Sequence, residues 1–97
     1  MDTLNDLFVT IKDRQETMSA GSYTAELIKS GLDRICQKIG EESVETVIAG
    51  LKQNKNELAY EMADLWYHCL VLLAASNMQP EDIYQELAKR FKSNETK

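Results

Sequence analysis

Apolar residues recur at helical spacing along most of the chain, and this pattern predicts five α-helices. Near the start, for example, Leu4, Phe8 and Ile11 lie three or four positions apart, which places them on one face of a helix. Short polar stretches at 17–22, 52–56 and 77–79 interrupt the pattern. The predicted helices are Thr3–Glu16, Tyr23–Lys29, Leu32–Leu51, Glu57–Ser76 and Pro80–Lys92.

The third and fourth predicted helices are the longest, and a short polar turn joins them. They should therefore pack side by side in an antiparallel hairpin. The fourth is apolar on nearly all sides from Leu65 onward, so it needs cover all round. We predict an all-α fold, a four- to five-helix bundle built on this central hairpin, with a homodimer supplying the rest of the cover. The alternative is a monomer covered by its own first and last helices.

Length and composition narrow the class of protein. Ninety-seven residues suffice for one domain, expected over residues 1–97 with a core of about 3–92 and a frayed tail. One proline and four glycines argue against a turn-rich β-sandwich. Sixteen acidic residues against 11 basic ones give a net charge of −5, which disfavours a general nucleic-acid or anionic-membrane binder.

The remaining composition favours a reducing, cytoplasmic environment. The N-terminus lacks the apolar segment of a signal peptide, and the longest apolar run, Cys69–Ala75, is far too short to cross a bilayer. Cys36 and Cys69 do not form a CxxC motif. Because both cysteines lie in apolar helical contexts, we expect reduced thiols buried in the core.

The third helix carries acidic residues where an apolar face is expected. On a helical wheel, Glu42 lies about 20° from Ile35, inside the apolar arc. Glu45 lies about 80° from Ile35, at the edge of that arc, with Lys38 between the two acids. Lys38 is a candidate for contacting phosphate, and it is equally a candidate for simply offsetting the acidic charge.

The fourth helix repeats this placement. Glu61 lies about 40° from Leu65 and Asp64 about 100° from it. His68 follows one turn after Asp64 and is expected to be a buried histidine bonded to a neighbour. The alternative is that His68 orients a carboxylate that binds metal.

Antiparallel packing of the two helices would bring these two acidic pairs together. Four carboxylates in a half-buried cleft repel one another and lose hydration, and either protonation or a bound cation relieves this. Oxygen ligands suit hard divalent cations, so we predict a site for Mg²⁺, with Mn²⁺ as a substitute. Taken singly, each glutamate would be assigned to a solvated helix face.

The motif Glu41-Glu42-x-x-Glu45, followed after fifteen residues by Glu61-x-x-Asp64, resembles the signature of the all-α nucleoside triphosphate pyrophosphatases. Further segments resemble the phosphoribosyl-ATP pyrophosphatase family within that group, and the resemblance runs from about Leu4 to Arg90. Trp66 departs from the aliphatic residue that is more usual in the family. The segments are Gly21-Ser22-Tyr23-Thr24, Lys38-Ile39-Gly40-Glu41-Glu42, Val47-Ile48-Ala49, Glu61-Met62-Ala63-Asp64-Leu65 and Tyr67-His68.

The resemblance implies Mg²⁺-dependent hydrolysis of 1-(5-phosphoribosyl)-ATP to 1-(5-phosphoribosyl)-AMP and pyrophosphate, the second step of L-histidine biosynthesis. It implies metal ligation by Glu42, Glu45, Glu61 and Asp64, and catalytic roles for Glu41, Glu45 and Lys38. Glu41 is left open as a ligand of a second metal or a general base. Substrate contacts are expected at Ser22, Tyr23, Thr24, Arg34 and Lys38.

Two alternatives keep the fold and change the function. A sister enzyme would use the same metal site on a free nucleotide such as dCTP or dUTP. A non-catalytic helical dimerisation module would carry the acids as a solvated stripe. Without the resemblance, Ser22 in the 21–24 segment would be assigned only as a helix N-cap.

Overall fold

The computed structural model describes residues 2–92, which form five α-helices and no strand. The all-α prediction is confirmed, and every predicted boundary lies within two residues of the observed one. The tail at 93–97, predicted to fray, lies outside the described residues. The helices are α1 (Thr3–Thr17), α2 (Tyr23–Ser30), α3 (Leu32–Leu51), α4 (Lys55–Ala75) and α5 (Pro80–Lys92).

Side-chain caps fix where the helices begin. Asp2, Ser22 and Asn54 each accept a hydrogen bond from the backbone N–H three residues further on, which satisfies a donor that the helix itself leaves free. Pro80 opens α5 at a position where a backbone N–H is not needed. The N-cap assignment for Ser22 is therefore confirmed.

The hairpin of α3 and α4 is the centre of the fold, and its two helices pack along most of their length. The turn between them is only residues 52–54, with Gln53 in the left-handed conformation at φ 59°. At the other end of α3, Gly31 has φ 96° and ψ 172°, a conformation that favours glycine and lets α2 lead almost directly into α3. The short turn fixes the register of the hairpin, and so it decides which side chains meet across it.

The core lies where α1 and α2 cover one side of the hairpin. Ile11, Ile35 and Val71 are completely buried and come from α1, α3 and α4. Leu27 of α2 belongs to the same buried cluster, so four helices meet around one apolar centre. The buried cluster comprises Phe8, Ile11, Leu27, Ile35, Leu70, Val71 and Ala74.

The prediction of buried core thiols was wrong. Cys36 and Cys69 are free, as expected, but both are exposed in the single chain. Cys36 lies on a solvent-facing side of α3, and Cys69 lines an open apolar groove between α4, α1 and α5. The sequence context correctly indicated apolar helix faces around the two cysteines, but it wrongly indicated that these faces lie in the core.

Large apolar side chains remain exposed along one side of α3. We call Val44, Val47, Ile48 and Leu51 the outer face of α3, because they point away from the core residues. Their exposed fractions are 58%, 59%, 51% and 79%. Exposed apolar patches of this kind mark contact surfaces in soluble proteins. Within residues 2–92, none of the helices combines the length and apolarity needed to cross a bilayer.

Candidate active site

The four predicted carboxylates meet in two pairs across the hairpin. Glu42 and Asp64 each lie eleven residues from Gln53, and Glu45 and Glu61 each lie eight residues from it. Positions at equal distance from the turn face each other in an antiparallel hairpin. Accordingly, Glu42 and Asp64 bring carboxylate oxygens within 4.8 Å of each other, and so do Glu45 and Glu61. The sequence therefore predicted correctly that these four side chains come together.

Two overlapping sets of side chains place their ligand atoms within 4.8 Å of one another. One set is Glu42, Glu45 and Glu61, and the other is Glu42, Asp64 and His68. Glu42 belongs to both, so it is the centre of the cluster. We call Glu42, Glu45, Glu61 and Asp64 the carboxylate cluster.

Glu42 is buried, with only 4% of its surface exposed. Its Oε1 atom has no hydrogen-bond donor among the described residues, and its Oε2 atom lies 3.5 Å from Lys38 Nζ. Burial, the nearby Asp64 and the nearby Glu45 raise the pKa of Glu42 from about 4.5 to about 7, although Lys38 opposes the shift. Near neutral pH this carboxyl therefore holds a proton more readily than an ordinary glutamate, and a bound cation would relieve the same repulsion.

In the second pair, the pKa of Glu61 is raised as well. Burial is the largest cause that raises the pKa of Glu61, and a hydrogen bond shared with Glu45 is the next. The charges of Glu45 and Asp64 add to the effect. Crowding of like charges is thus distributed over both pairs of the cluster.

Lys38 is the cationic neighbour of the cluster. Its Nζ atom lies 3.5 Å from Glu42 and 3.7 Å from Glu41. Burial alone would lower the pKa of Lys38, but Tyr23, Glu42 and Glu41 together raise it, so the ammonium group stays charged. The role as charge partner is therefore present in the structure, and Tyr23 lies close enough to influence Lys38 as well.

His68 is buried, with 2% of its surface exposed, and both ring nitrogens are used. Nδ1 lies 2.8 Å from the backbone oxygen of Asp64, and Nε2 lies 3.1 Å from the Tyr23 hydroxyl. The Asp64 carboxylate is further from Nδ1, at 3.6 Å. The arrangement matches a buried histidine bonded to its neighbours, and it leaves the cluster with oxygen donors only.

The segment 21–24 lies next to His68 because α2 packs on α4. The Ser22 hydroxyl oxygen caps α2, and the Tyr23 hydroxyl contacts His68. Thr24 is bonded to the hydroxyl of Tyr67, a contact that sequence reasoning missed because nothing in the sequence gives the rotation of α2 against α4. All three hydroxyl side chains predicted to touch substrate therefore have partners within the chain.

Two further candidates lie outside the carboxylate cluster. Glu41 is exposed, accepts a hydrogen bond from Gln37 and pairs with Lys38, and it belongs to neither ligand set. Arg34 is exposed on α3, one turn before Lys38. Among the described contacts, none joins Glu41 or Arg34 directly to one of the four acids.

The raised pKa of Glu42 predicts that the metal-free chain loses stability as pH rises. Between about pH 4.5 and about pH 7 the folded state holds a proton that the unfolded chain has released, so unfolding becomes easier with each step up in pH. One pH unit of displacement corresponds to about 1.4 kcal/mol, which limits the loss to about 3 kcal/mol. Urea unfolding at several pH values, with a chelator present, measures it.

Glu42→Gln is the matched variant for this measurement. The amide keeps the size of the side chain and cannot ionise, so the pH dependence in that window should become much flatter. An equally steep loss of stability in Glu42→Gln would mean that Glu42 is not its source.

The fold and the cluster define a class of protein. Carboxylates from both arms of an α-helical hairpin meet in one cluster with a lysine beside them, as the resemblance to the all-α nucleoside triphosphate pyrophosphatases, a group of hydrolases, implies. Residues 4–91 match the model of the family described as phosphoribosyl-ATP pyrophosphohydrolase. The chain belongs to that family.

Individual relatives agree with the family model. The chain is 47% identical over 91 residues to a phosphoribosyl-ATP pyrophosphatase of Saccharolobus solfataricus, covering 94% of this chain and 97% of the relative. It is 46% identical over 91 residues to one of Sulfolobus acidocaldarius, covering 94% and 96%. A bacterial relative from Geobacter metallireducens, named in the same way, is 46% identical over 90 residues, covering 93% of this chain and 83% of its own length.

Proposed function

We propose that this chain hydrolyses 1-(5-phosphoribosyl)-ATP to 1-(5-phosphoribosyl)-AMP and pyrophosphate in a Mg²⁺-dependent reaction, the second step of L-histidine biosynthesis. Membership of the family and the names of the relatives support the substrate and the reaction. The observation that carries the metal requirement is the buried Glu42, whose Oε1 atom lacks a donor at the centre of four carboxylates.

The cluster fits a hard divalent cation. Its donors are oxygen atoms, and the ligand atoms of Glu42, Glu45 and Glu61 lie within 4.8 Å of one another. Glu42, Glu45, Glu61 and Asp64 would hold the ion, with Mn²⁺ as a substitute for Mg²⁺. When bound, such an ion neutralises phosphate charge and lowers the pKa of a coordinated water.

Residues of the chain itself position the substrate. Lys38 keeps its charge beside the cluster, where it can pair with a phosphate oxygen. Tyr23 contacts His68 beside the cluster, and 53% of the residue is exposed. Glu41, which is exposed and outside both ligand sets, is proposed as the general base that accepts a proton from water or as a ligand of a second metal, and Glu45 is the alternative proton acceptor within the cluster. Arg34 extends the cationic end by one turn of α3.

We further infer that two copies pair through the outer face of α3. Val44, Val47, Ile48 and Leu51 form an apolar surface that this chain leaves uncovered. Gly40 supports the same surface, because a glycine inside a helix costs about 1 kcal/mol relative to alanine. A Cβ atom at Gly40 would meet nothing within 4 Å among residues 2–92, so packing within this part of the chain does not explain the glycine.

The experiment that tests the proposed reaction is an assay of pyrophosphate release from phosphoribosyl-ATP, ATP, dCTP and dUTP, with and without Mg²⁺. Selective, Mg²⁺-dependent turnover of phosphoribosyl-ATP is the expected result. A parallel thermal-unfolding series with Mg²⁺ or Mn²⁺ and with a chelator should show a higher Tm with metal, because a ligand that binds only the folded state stabilises it.

The other outcomes each contradict one part. Turnover of dCTP or dUTP in place of phosphoribosyl-ATP would keep the metal site and overturn the substrate. Turnover that survives the chelator, with no effect of metal on Tm, would overturn the metal requirement. A folded chain without any turnover would favour a helical dimerisation module.

A further inference from the structure

His68 and Tyr23 form a buried link between α2 and α4 beside the carboxylate cluster. The backbone oxygen of Asp64 can only accept a hydrogen bond, so Nδ1 of His68 carries the hydrogen in that contact of 2.8 Å. In the neutral ring, Nε2 then accepts from the Tyr23 hydroxyl at 3.1 Å. His68 thus joins the turn that bears Asp64 to the first turn of α2.

Aromatic packing holds the imidazole in this orientation. The ring of Tyr67 lies 5.0 Å from that of His68 at an angle of 83°, and the ring of Tyr23 lies 6.0 Å away at 81°. Both contacts are edge-to-face, a favourable geometry for aromatic pairs. His68 is 2% exposed and bonded at both ring nitrogens, so the imidazole and the Tyr23 hydroxyl restrain each other.

The hydroxyl of Tyr23 is held by a hydrogen bond, while much of the residue is exposed to solvent. Its hydroxyl is bonded to a buried partner, whereas 53% of the residue remains exposed. It also lies close enough to Lys38 to affect the pKa of that residue. His68, which the Tyr23 hydroxyl contacts, has a ring nitrogen within 4.8 Å of carboxylate oxygens of Glu42 and Asp64, so the Tyr23 side chain lies beside the cluster.

We propose that His68 is a positioning residue, which holds the Tyr23 hydroxyl so that the exposed ring of Tyr23 packs against the nucleotide beside Lys38. This role rests on the proposed function, since it requires a nucleotide at the cluster. It assigns the contact of Tyr23 with substrate to the ring face and not to the hydroxyl, which His68 occupies.

Kinetics of single and double variants test this role. Tyr23→Phe keeps the ring and loses its anchor, so KM for phosphoribosyl-ATP should rise about three- to tenfold, as expected for one neutral hydrogen bond. The kcat value should change less than KM. His68→Leu should have a similar effect, and the double variant should be no worse than the more impaired single variant, because each change breaks the same link. Tyr23→Leu, which removes the ring, should raise KM further.

Two controls separate positioning from a general loss of structure. His68→Gln retains an acceptor for Tyr23 and should recover much of the KM lost in His68→Leu. Tyr84→Phe makes the same chemical change on α5, where the ring lines an apolar groove, and should leave KM unchanged. Mn²⁺ affinity, measured by titration calorimetry, should stay within about twofold in Tyr23→Phe, since the metal ligands are intact.

Nitrogen NMR of the imidazole gives a readout that does not depend on activity. The wild-type spectrum should show the tautomer with hydrogen on Nδ1, and Tyr23→Phe should shift the Nε2 resonance. Hydrogen on Nε2 would overturn the link.

The kinetic results also show which part of the proposal would be wrong. Additive effects in the double variant would mean that the hydroxyl contacts substrate directly. A lowered Tm with unchanged KM would mean that the link is structural only. A wild-type chain that does not hydrolyse phosphoribosyl-ATP would overturn the proposed function itself, whereas normal kinetics in Tyr23→Phe would overturn only the role of His68.

Discussion

Glu61→Gln is expected to abolish turnover while the chain stays folded and keeps its oligomeric state. The change removes one charge from the pair that Glu61 forms with Glu45 and one oxygen donor from the carboxylate cluster. Replacing residues that merely orient metal ligands costs up to about 100-fold, so loss of a ligand should cost at least about 100-fold in kcat/KM. Steady-state kinetics at saturating Mg²⁺ measure the loss.

The same variant should unfold at a higher temperature than the wild type when no metal is present. Burial and neighbouring carboxylates raise the pKa of Glu61, so an uncharged side chain relieves repulsion in the folded state. The order should reverse when Mn²⁺ is added, because the wild type binds it more tightly.

Glu86→Gln is the matched control for Glu61→Gln. Glu86 lies on α5 and pairs with Lys89 at 3.4 Å, away from the hairpin acids. The activity of Glu86→Gln should match that of the wild type. Near-wild-type activity in Glu61→Gln would remove the metal-site hypothesis.

Val47→Glu is expected to convert the proposed dimer into folded monomers. Val47 is 59% exposed in the single chain and lies on the outer face of α3, which the dimer would bury. Because a twofold interface contains the same residue from both copies, Val47→Glu would bury two unpaired carboxylates in it. Burying an unpaired charge costs several kcal/mol. Since about 1.4 kcal/mol is a tenfold change, the dissociation constant should rise at least about 100-fold. Light scattering across a concentration series measures it.

Val9→Glu separates this effect from a general effect of added charge. Val9 is 67% exposed on α1, which is a different helix from the proposed interface. The variant Val9→Glu introduces the same charge as Val47→Glu and should leave the dimer intact. A wild-type mass of one chain at micromolar concentration would contradict the dimer, and an unchanged dimer in Val47→Glu would contradict this interface.

The sequence predicted the helices and the acidic residues of the site well, because both follow from spacing within one helix. Glu42 lies only about 20° from Ile35 on the wheel, and in the structure both are buried. On α4, Glu61 and Asp64 lie further from Leu65 on the wheel, and in the structure both are only partly buried. A charged residue among apolar ones is informative because burial of charge is costly unless something compensates for it.

Relations between helices were predicted less well. The pairing of Glu42 with Asp64 depends on the turn at 52–54, whose observed length is shorter than the polar stretch suggested. The contacts of Tyr23 and Thr24 with α4 depend on the rotation of α2, which helical spacing does not give. Cys36 and Cys69 show the same limit, since apolar surroundings indicate that a face needs cover and not which surface supplies it.

The placement of the acids at equal distances from Gln53 makes the chain unequally tolerant of insertions and deletions. Deleting one residue between Glu45 and Leu51 would rotate the acids of α3 by about 100° relative to the turn and separate both pairs. An added residue within 52–54 can bulge into solvent, and each doubling of a flexible loop costs only about 0.6 kcal/mol. Changes in chain length among homologues should therefore collect in the turn, while the helical segments on either side keep their lengths.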